Sequence, residues 1–301
     1  MPPLVAEFPE PSSLDLALTL GVLQRGGARD RTIRIESGCV WRASWTPEGP
    51  STLQLELVSQ RLIARAWGPG ARWALEAAPA LVGLDDQPDS FHPQHPLLSA
   101  IHRRHSGLRL GRTNAVFEAL VPTVLEQKVP GVEAWAGYAA MVSALGEPAP
   151  GECGLLLPPS PSRLLATPYW AFHRFGIERR KADVIRNAAA LAHRLNQLVR
   201  LGFAEASRQL QRLPGIGPWS AAEIGAVALG DRDAVSVGDY NLPHVVSWAL
   251  AGEPRGSDAR MLELLEPYRG HRARVIRLLA AAGITAPRFG PRMPLRRIAR
   301  R

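Results

Sequence analysis

Residues 212 to 230 read RLPGIGPWSAAEIGAVALG, and this string restricts the fold more than any other part of the chain. Helical periodicity stops at Leu213, then Pro214, Gly215 and Gly217 force a tight turn, and helix resumes at Trp219. The segment is therefore a helix, a short hairpin and a second helix. Glycines at alternate positions remove Cβ atoms where backbone N–H groups at the next helix start point outward, so a phosphate can approach them closely. Such a hairpin grips nucleic-acid backbone without reading sequence. An isolated Leu-Pro-Gly would read as an ordinary helix stop, but the full string LPGIGPWSA is far more restrictive.

The charge agrees with a polyanionic partner. The 301 residues carry a formal charge of +9, with an isoelectric point near 10.6, and a basic surface gains affinity by releasing counterions from phosphates. Only Lys128 and Lys181 are lysines, so nearly all of the 36 basic side chains are guanidinium forks suited to bidentate phosphate contacts. No segment approaches the roughly 18 uncharged apolar residues of a membrane span, and the start has no basic leader. A soluble, cytoplasmic, nucleoid-associated protein with no membrane partner is expected. Cys39 and Cys153 are the only cysteines, half of what a four-cysteine iron–sulfur cluster needs, so no such cluster is expected.

The chain changes character near residue 90. Residues 14 to 25 have helical spacing after Ser12 and Ser13 as N-cap candidates. Four strand-like runs follow at 32–36, 39–45, 51–59 and 61–68, punctuated by Gly- and Pro-containing turns. The polar, proline-rich stretch 84–96 marks a boundary. Beyond it the periodicity is helical almost throughout, over 96–105, 114–129, 131–146, 162–170, 178–196, 203–213, 219–230, 240–252, 258–270 and 271–283. Pro122 and Pro243 are expected to kink two of these helices or mark first turns. The basic segment from residue 289 reads as an arm or a surface strap.

The hairpin string LPGIGPWSA matches that of the helix-hairpin-helix DNA glycosylases, and the chain resembles their 3-methyladenine DNA glycosylase II group. Residues 116–129 and 163–189 resemble further segments of that group, and the resemblance covers almost the whole chain. It implies an α+β protein: an N-terminal antiparallel sheet domain (1–95), then a helical region (96–301). That region divides into a central subdomain (115–231) and a second one built from 96–114 with 232–301, with a cleft between them. It further implies a monofunctional glycosylase that hydrolyses the N-glycosidic bond of damaged, alkylated bases in double-stranded DNA, acting as a monomer. Leu213, Gly215, Ile216, Gly217 and Ser220 would contact DNA, and carbonyls near Leu213 and Ile216 would hold a sodium or potassium ion. No catalytic metal is implied.

About 20 residues after the hairpin, where the family places its catalytic carboxylate, stand Asp233 and Asp239; the pattern falls on Asp239. Hydrolysis builds positive charge on the sugar, which a carboxylate at the cleft stabilises while it orients water. Asp239 alone would read as a helix N-cap, and one side chain can do both. Asp233 reads as a surface or turn residue. Lyase relatives carry a lysine in the second hairpin helix as an amine nucleophile; Trp219 stands there instead. Trp219 is expected to offer an aromatic face to the flipped base, across the cleft from Asp239.

Elsewhere the pocket departs from the family. Glu223 replaces a tyrosine, Arg277 a tryptophan, and Lys128, after Gln127, an apolar wedge. Glu223 and Arg277 either recognise the base or pair with each other at the rim. The histidines at 92, 95, 102 and 105 read as loop or phosphate-facing residues rather than a zinc site. Two other readings stay open: a DNA-binding protein without catalysis, which would not need Asp239, and a glycosylase for oxidised or deaminated bases.

Overall fold

The computed structural model describes residues 2–9 and 13–288; the basic arm from residue 289 lies outside them, as does Ser12. The first element is a strand, β1 (Leu4–Pro9), followed by the short helix α1 (Leu16–Leu20). α1 is capped by Asp15, whose carboxylate accepts the Leu18 N–H at 2.9 Å, not by Ser13. Then come β2 (Ile33–Glu36), β3 (Cys39–Thr46), β4 (Gly49–Val58) and β5 (Arg61–Trp67). With β1 they form one antiparallel sheet in the order β1-β5-β4-β3-β2. The helix α2 (Ala71–Leu81) packs its Ala74, Leu75, Ala78 and Leu81 on the sheet, in one cluster with Leu53, Leu55, Leu62 and Ala64.

The helical region comprises α3 (Pro96–Arg104), α4 (Val116–Glu126), α5 (Gly131–Leu145), α6 (Pro161–Ala166), α7 (Arg179–Ala190), α8 (Ala192–Asn196), α9 (Phe203–Gln211), α10 (Pro218–Ile224), α11 (Leu242–Ala251), α12 (Asp258–Leu265) and α13 (Arg272–Ala281). Pro122 lies inside α4, whereas Pro243 sits in the first turn of α11, where its missing N–H costs no helix bond. The single helix expected over 178–196 breaks at Leu191, and 162–170 divides into α6 and a 3₁₀ turn (Tyr169–Phe175). One apolar core joins α4, α5, α7, α9 and α10. A second joins Leu98 and Ile101 of α3 to Val246, Met261, Leu265, Val275 and Leu278 of α11–α13.

Three devices fasten sheet to helices. The loop 146–158 lies on the outer face of the sheet, where Ala149, Leu155 and Leu157 cluster with Trp41, Ala43 and Trp45. Thr52 Oγ1 donates to the Pro150 carbonyl at 2.7 Å and Trp45 Nε1 to that of Pro158 at 2.8 Å. On the other side of β3, Arg42 pairs with Glu118 of α4, a carboxyl pushed above its usual range by burial and held back by that guanidinium. Finally, Arg274 of α13, 1% exposed, pairs with Asp86 in the boundary stretch. A buried pair of this kind is costly to break from one side, because it leaves an uncompensated charge.

Candidate active site

The hairpin is built as its residue types require. Leu213 and Ile216 donate backbone N–H bonds to Leu210 and Leu213 carbonyls at 3.0 Å each, closing two successive tight turns. Gly215 sits at φ +94°, and a Cβ there would come within 2.4 Å of Val184 Cγ2 on α7. Its glycine is thus demanded by both dihedral and packing. A Cβ on Gly217 would meet nothing within 4 Å, so the approach to the start of α10 is open. Helix α10 runs on into a π-helical turn (Gly225–Leu229), where Gly225 admits the Phe203 ring.

Ser220 and Gln127 form a clamp rather than an open contact surface. The Gln127 amide, at the C-terminus of α4, donates to the Gly215 carbonyl and to Ser220 Oγ, both at 2.9 Å. Ser220 is 2% exposed, so its hydroxyl faces Gln127 and not solvent; Ile216 is buried as well. The clamp fixes the α4–α5 loop beside the hairpin and leaves the exposed Lys128 at its apex, at φ +55°. The second lysine, Lys181, is buried on α7 and donates to the Leu125 carbonyl at 2.8 Å.

Trp219 and Asp239 touch. The indole Nε1 donates to Asp239 Oδ2 at 3.0 Å, so they share one side of the site instead of facing each other across it. The other oxygen, Oδ1, accepts the N–H groups of Asn241 and Leu242 at 2.8 Å each, capping the entry to α11. Three N–H donors therefore aim this carboxylate. The loop that carries it is tied at several points. Gly238, at φ +88°, donates its N–H to the Asp258 carboxylate, and Ser236 Oγ donates to Glu223. Asp233 is more than the turn residue expected: it accepts the N–H groups of Gly270 and Arg272 and pairs with the Arg272 guanidinium. No sequence pattern marked that anchor, because its partner lies 39 residues away.

Glu223 and Arg277 do not pair with each other. Glu223, half-buried one turn after Trp219, takes the Ser236 hydroxyl on Oε1. Burial pushes its carboxyl above the usual range; the Ser236 bond and Arg25 pull it back, and Glu126 and Asp239 add to the rise. Arg277 Nη2 donates to the carbonyls of Leu18 and Thr19 in α1 at 3.2 and 3.4 Å, where a helix end presents free acceptors. Burial, helped by nearby Arg25 and opposed by Glu223, lowers Arg277 to about 10. Arg25 follows α1 and reaches Glu126 Oε1 at 2.8 Å, an oxygen that also accepts the Trp135 indole N–H at 3.0 Å. Sequence reasoning missed Arg25, Glu126 and Ser236, since only the docking of α1 and of the Asp239 loop brings them to the site. A cavity of about 40 Å³ lies behind Arg277, lined also by Thr19, Leu23, Val227 and Ala273. It does not reach Trp219, Glu223 or Asp239.

Among the described residues no group of three or more His, Cys, Asp or Glu side chains is placed to hold a metal, and no helix is long and apolar enough to cross a membrane. His102 and His271 instead pack against the Phe91 ring.

The fold is that of the helix-hairpin-helix DNA glycosylases. The 3-methyladenine DNA glycosylase of Archaeoglobus fulgidus superposes with a TM-score of 0.76 over 92% of this chain and 97% of that one, at 20% identity. The 8-oxoguanine glycosylase/lyase of Clostridium acetobutylicum, in complex with DNA, gives 0.69 over 93% and 97%, at 13% identity. In sequence, the chain is 30% identical over 166 residues to the probable bifunctional transcriptional activator/DNA repair enzyme AlkA of Mycobacterium tuberculosis, covering 54% of this chain and 34% of that protein. The chain thus spans about a third of the length of that curated relative. No protein-family model matches.

Proposed function

We propose that the protein is a monofunctional DNA glycosylase that hydrolyses the N-glycosidic bond of alkylated bases in double-stranded DNA, in base excision repair. The observation that carries this reading is the carboxylate of Asp239, aimed by three N–H donors beside a phosphate-accessible hairpin. DNA backbone docks at the hairpin and the arginine-rich surface. The damaged nucleotide turns out of the stack and lies against the Trp219 face. As the glycosidic bond lengthens, positive charge grows on the sugar; Asp239 stabilises it electrostatically and orients the water that attacks the anomeric carbon. A cationic alkylated base is a good leaving group, so one carboxylate suffices where sugar hydrolases use two.

Trp219 supports the reading without lyase chemistry. An indole committed to Asp239 stands where an amine nucleophile would have to be. The reading is tested by incubating the protein with duplexes that each carry one lesion and resolving the strands with and without alkali. Cleavage of alkylated duplexes after alkali only is the expected result. Cleavage without alkali would show lyase action, and no cleavage in any duplex would favour a DNA-binding protein without catalysis.

A further inference from the structure

The helix that supports the hairpin has a second face, turned away from it. On α7, Val184 packs on Gly215 of the hairpin. Arg179 and Arg186 stand five residues before Val184 and two after it, which places them about 140° and 160° round the helix from that contact. Their side of α7 carries α6 and the 3₁₀ turn that follows it. Arg186 Nη2 lies 3.5 Å from the Leu165 carbonyl, and the Arg179 guanidinium lies 4.5 Å from the centre of the Tyr169 ring. The chain from Leu165 to Trp170 therefore runs back along α7 toward its first turn. Along this run apolar side chains are left outside: Leu165 is 44% exposed and Trp170 64%, with Ala166 and Pro168 exposed between them. Tyr169 packs on the helical core and holds the turn in place. The guanidinium groups of Arg163, Arg174, Arg179 and Arg186 border the strip, against the carboxylates of Glu178 and Asp183. Asp183 pairs with Arg179 at 3.6 Å, whereas among the described residues Arg163 and Arg174 have no ion pair.

We propose that this strip, from Leu165 to Trp170 with its bordering arginines, docks a partner protein through an extended acidic segment that bears bulky apolar side chains. The apolar side chains cover Trp170 and Leu165, and the carboxylates meet the arginine forks in bidentate contacts. Exposed tryptophan beside arginine is the composition that concentrates binding energy at protein interfaces. Nucleic acid matches the strip less well. A duplex gripped at the hairpin lies on the far side of α7, and its stacked bases offer no free face to an indole. A single strand stacks on a series of aromatic faces, and the strip presents one, among aliphatic groups. Because the two faces of α7 are separate, the partner docks while the hairpin stays open to DNA.

The test titrates the full chain into a fluorescein-labelled peptide, Gly-Asp-Asp-Phe-Asp-Asp-Leu-Asp-Asp, and reads fluorescence anisotropy with and without a saturating unlabelled duplex. One control peptide has alanine in place of phenylalanine and leucine, the other asparagine in place of every aspartate. The acidic apolar peptide is expected to bind in the micromolar range, equally well with the duplex present, and each control about tenfold more weakly or worse. Trp170→Ser removes the exposed indole, and Leu165→Glu sets a carboxylate against the incoming ones; each weakens the peptide about tenfold. Both positions are exposed, so the thermal midpoint and the duplex affinity of the two variants stay those of the unmodified protein. Failure of the peptide to bind overturns the proposal, as does equal binding of either control, or full binding by both variants. Displacement of the peptide by duplex, or tighter binding of a labelled oligothymidylate that Trp170→Ser abolishes, assigns the strip to nucleic acid and also overturns it.

Discussion

Two carboxylates stand near Trp219, and their settings are opposite. Asp239 receives three N–H donors at 2.8 to 3.0 Å, two of them from the backbone of its own turn. Glu223 receives a single hydroxyl and lies near two further carboxylates. The first arrangement fixes a charge in place and in direction, as a group that stabilises a developing cation must be fixed. The second leaves a partly desolvated oxygen whose protonation and partner depend on what enters the site. One side chain is held in a single direction by several donors, the other by one.

The sharpest way to break this comparison is to neutralise the fixed charge. Asp239→Asn keeps the shape and should lower single-turnover base release by about a thousandfold, with duplex affinity within about threefold of the unmodified protein in a salt-matched titration. Activity within a few-fold of the original would remove Asp239 from the chemistry. A smaller effect is expected from Trp219→Phe, which keeps an aromatic face and deletes the N–H to Oδ2. Loss of one hydrogen bond to a charged group, worth about 1.5–3 kcal/mol, corresponds to a fall of roughly ten- to a hundredfold in the same assay. No fall would mean that the two backbone donors alone aim Asp239.

The smallest effect concerns stability and the other carboxylate. Burial raises the Glu223 pKa in the folded state above its value in the unfolded chain. Between those two values the folded state binds the extra proton, so this group's contribution to stability is present at low pH and is lost as pH rises. Glu223→Gln removes that dependence. Its Tm should equal or fall below that of the original near pH 4 and gain on it as pH rises toward 8. A difference in Tm that stays constant across this range would show that Glu223 titrates as it does in the unfolded chain.

Much of the scaffold is legible in the sequence. Strands β2 to β5 follow from alternation and turn residues, and the hairpin from Pro214, Gly215 and Gly217. Strand β1 does not, because Leu4 and Val5 are 52% and 56% exposed and its register comes only from pairing with β5. Helix α2 hides in an alanine-rich run with Pro79 inside it and no side-chain cap. At the site, the helix spacing placed Glu223 one turn after Trp219. Whether Arg277 faces Glu223 or turns elsewhere depends on how α13 docks on α1, a contact between residues 259 apart in the chain that no local pattern encodes. Trp219 and Asp239 were each readable, but their mutual hydrogen bond was not, since it depends on the path of the loop 233–241.

The core shared by α3 with α11, α12 and α13 also governs how the polypeptide can mature as it leaves the ribosome. Leu98 and Ile101 are synthesised early, yet the residues that cover them, from Val246 to Leu279, arrive only after all of α4 to α10. Until then the apolar stripe of α3 is uncovered, and Asp86 waits without the guanidinium of Arg274. The sheet and the α4–α10 core can close during synthesis, since domains fold as units in order of emergence. The subdomain that carries Asp239 closes last, so a nascent chain has its hairpin before the loop that carries Asp239 is in place.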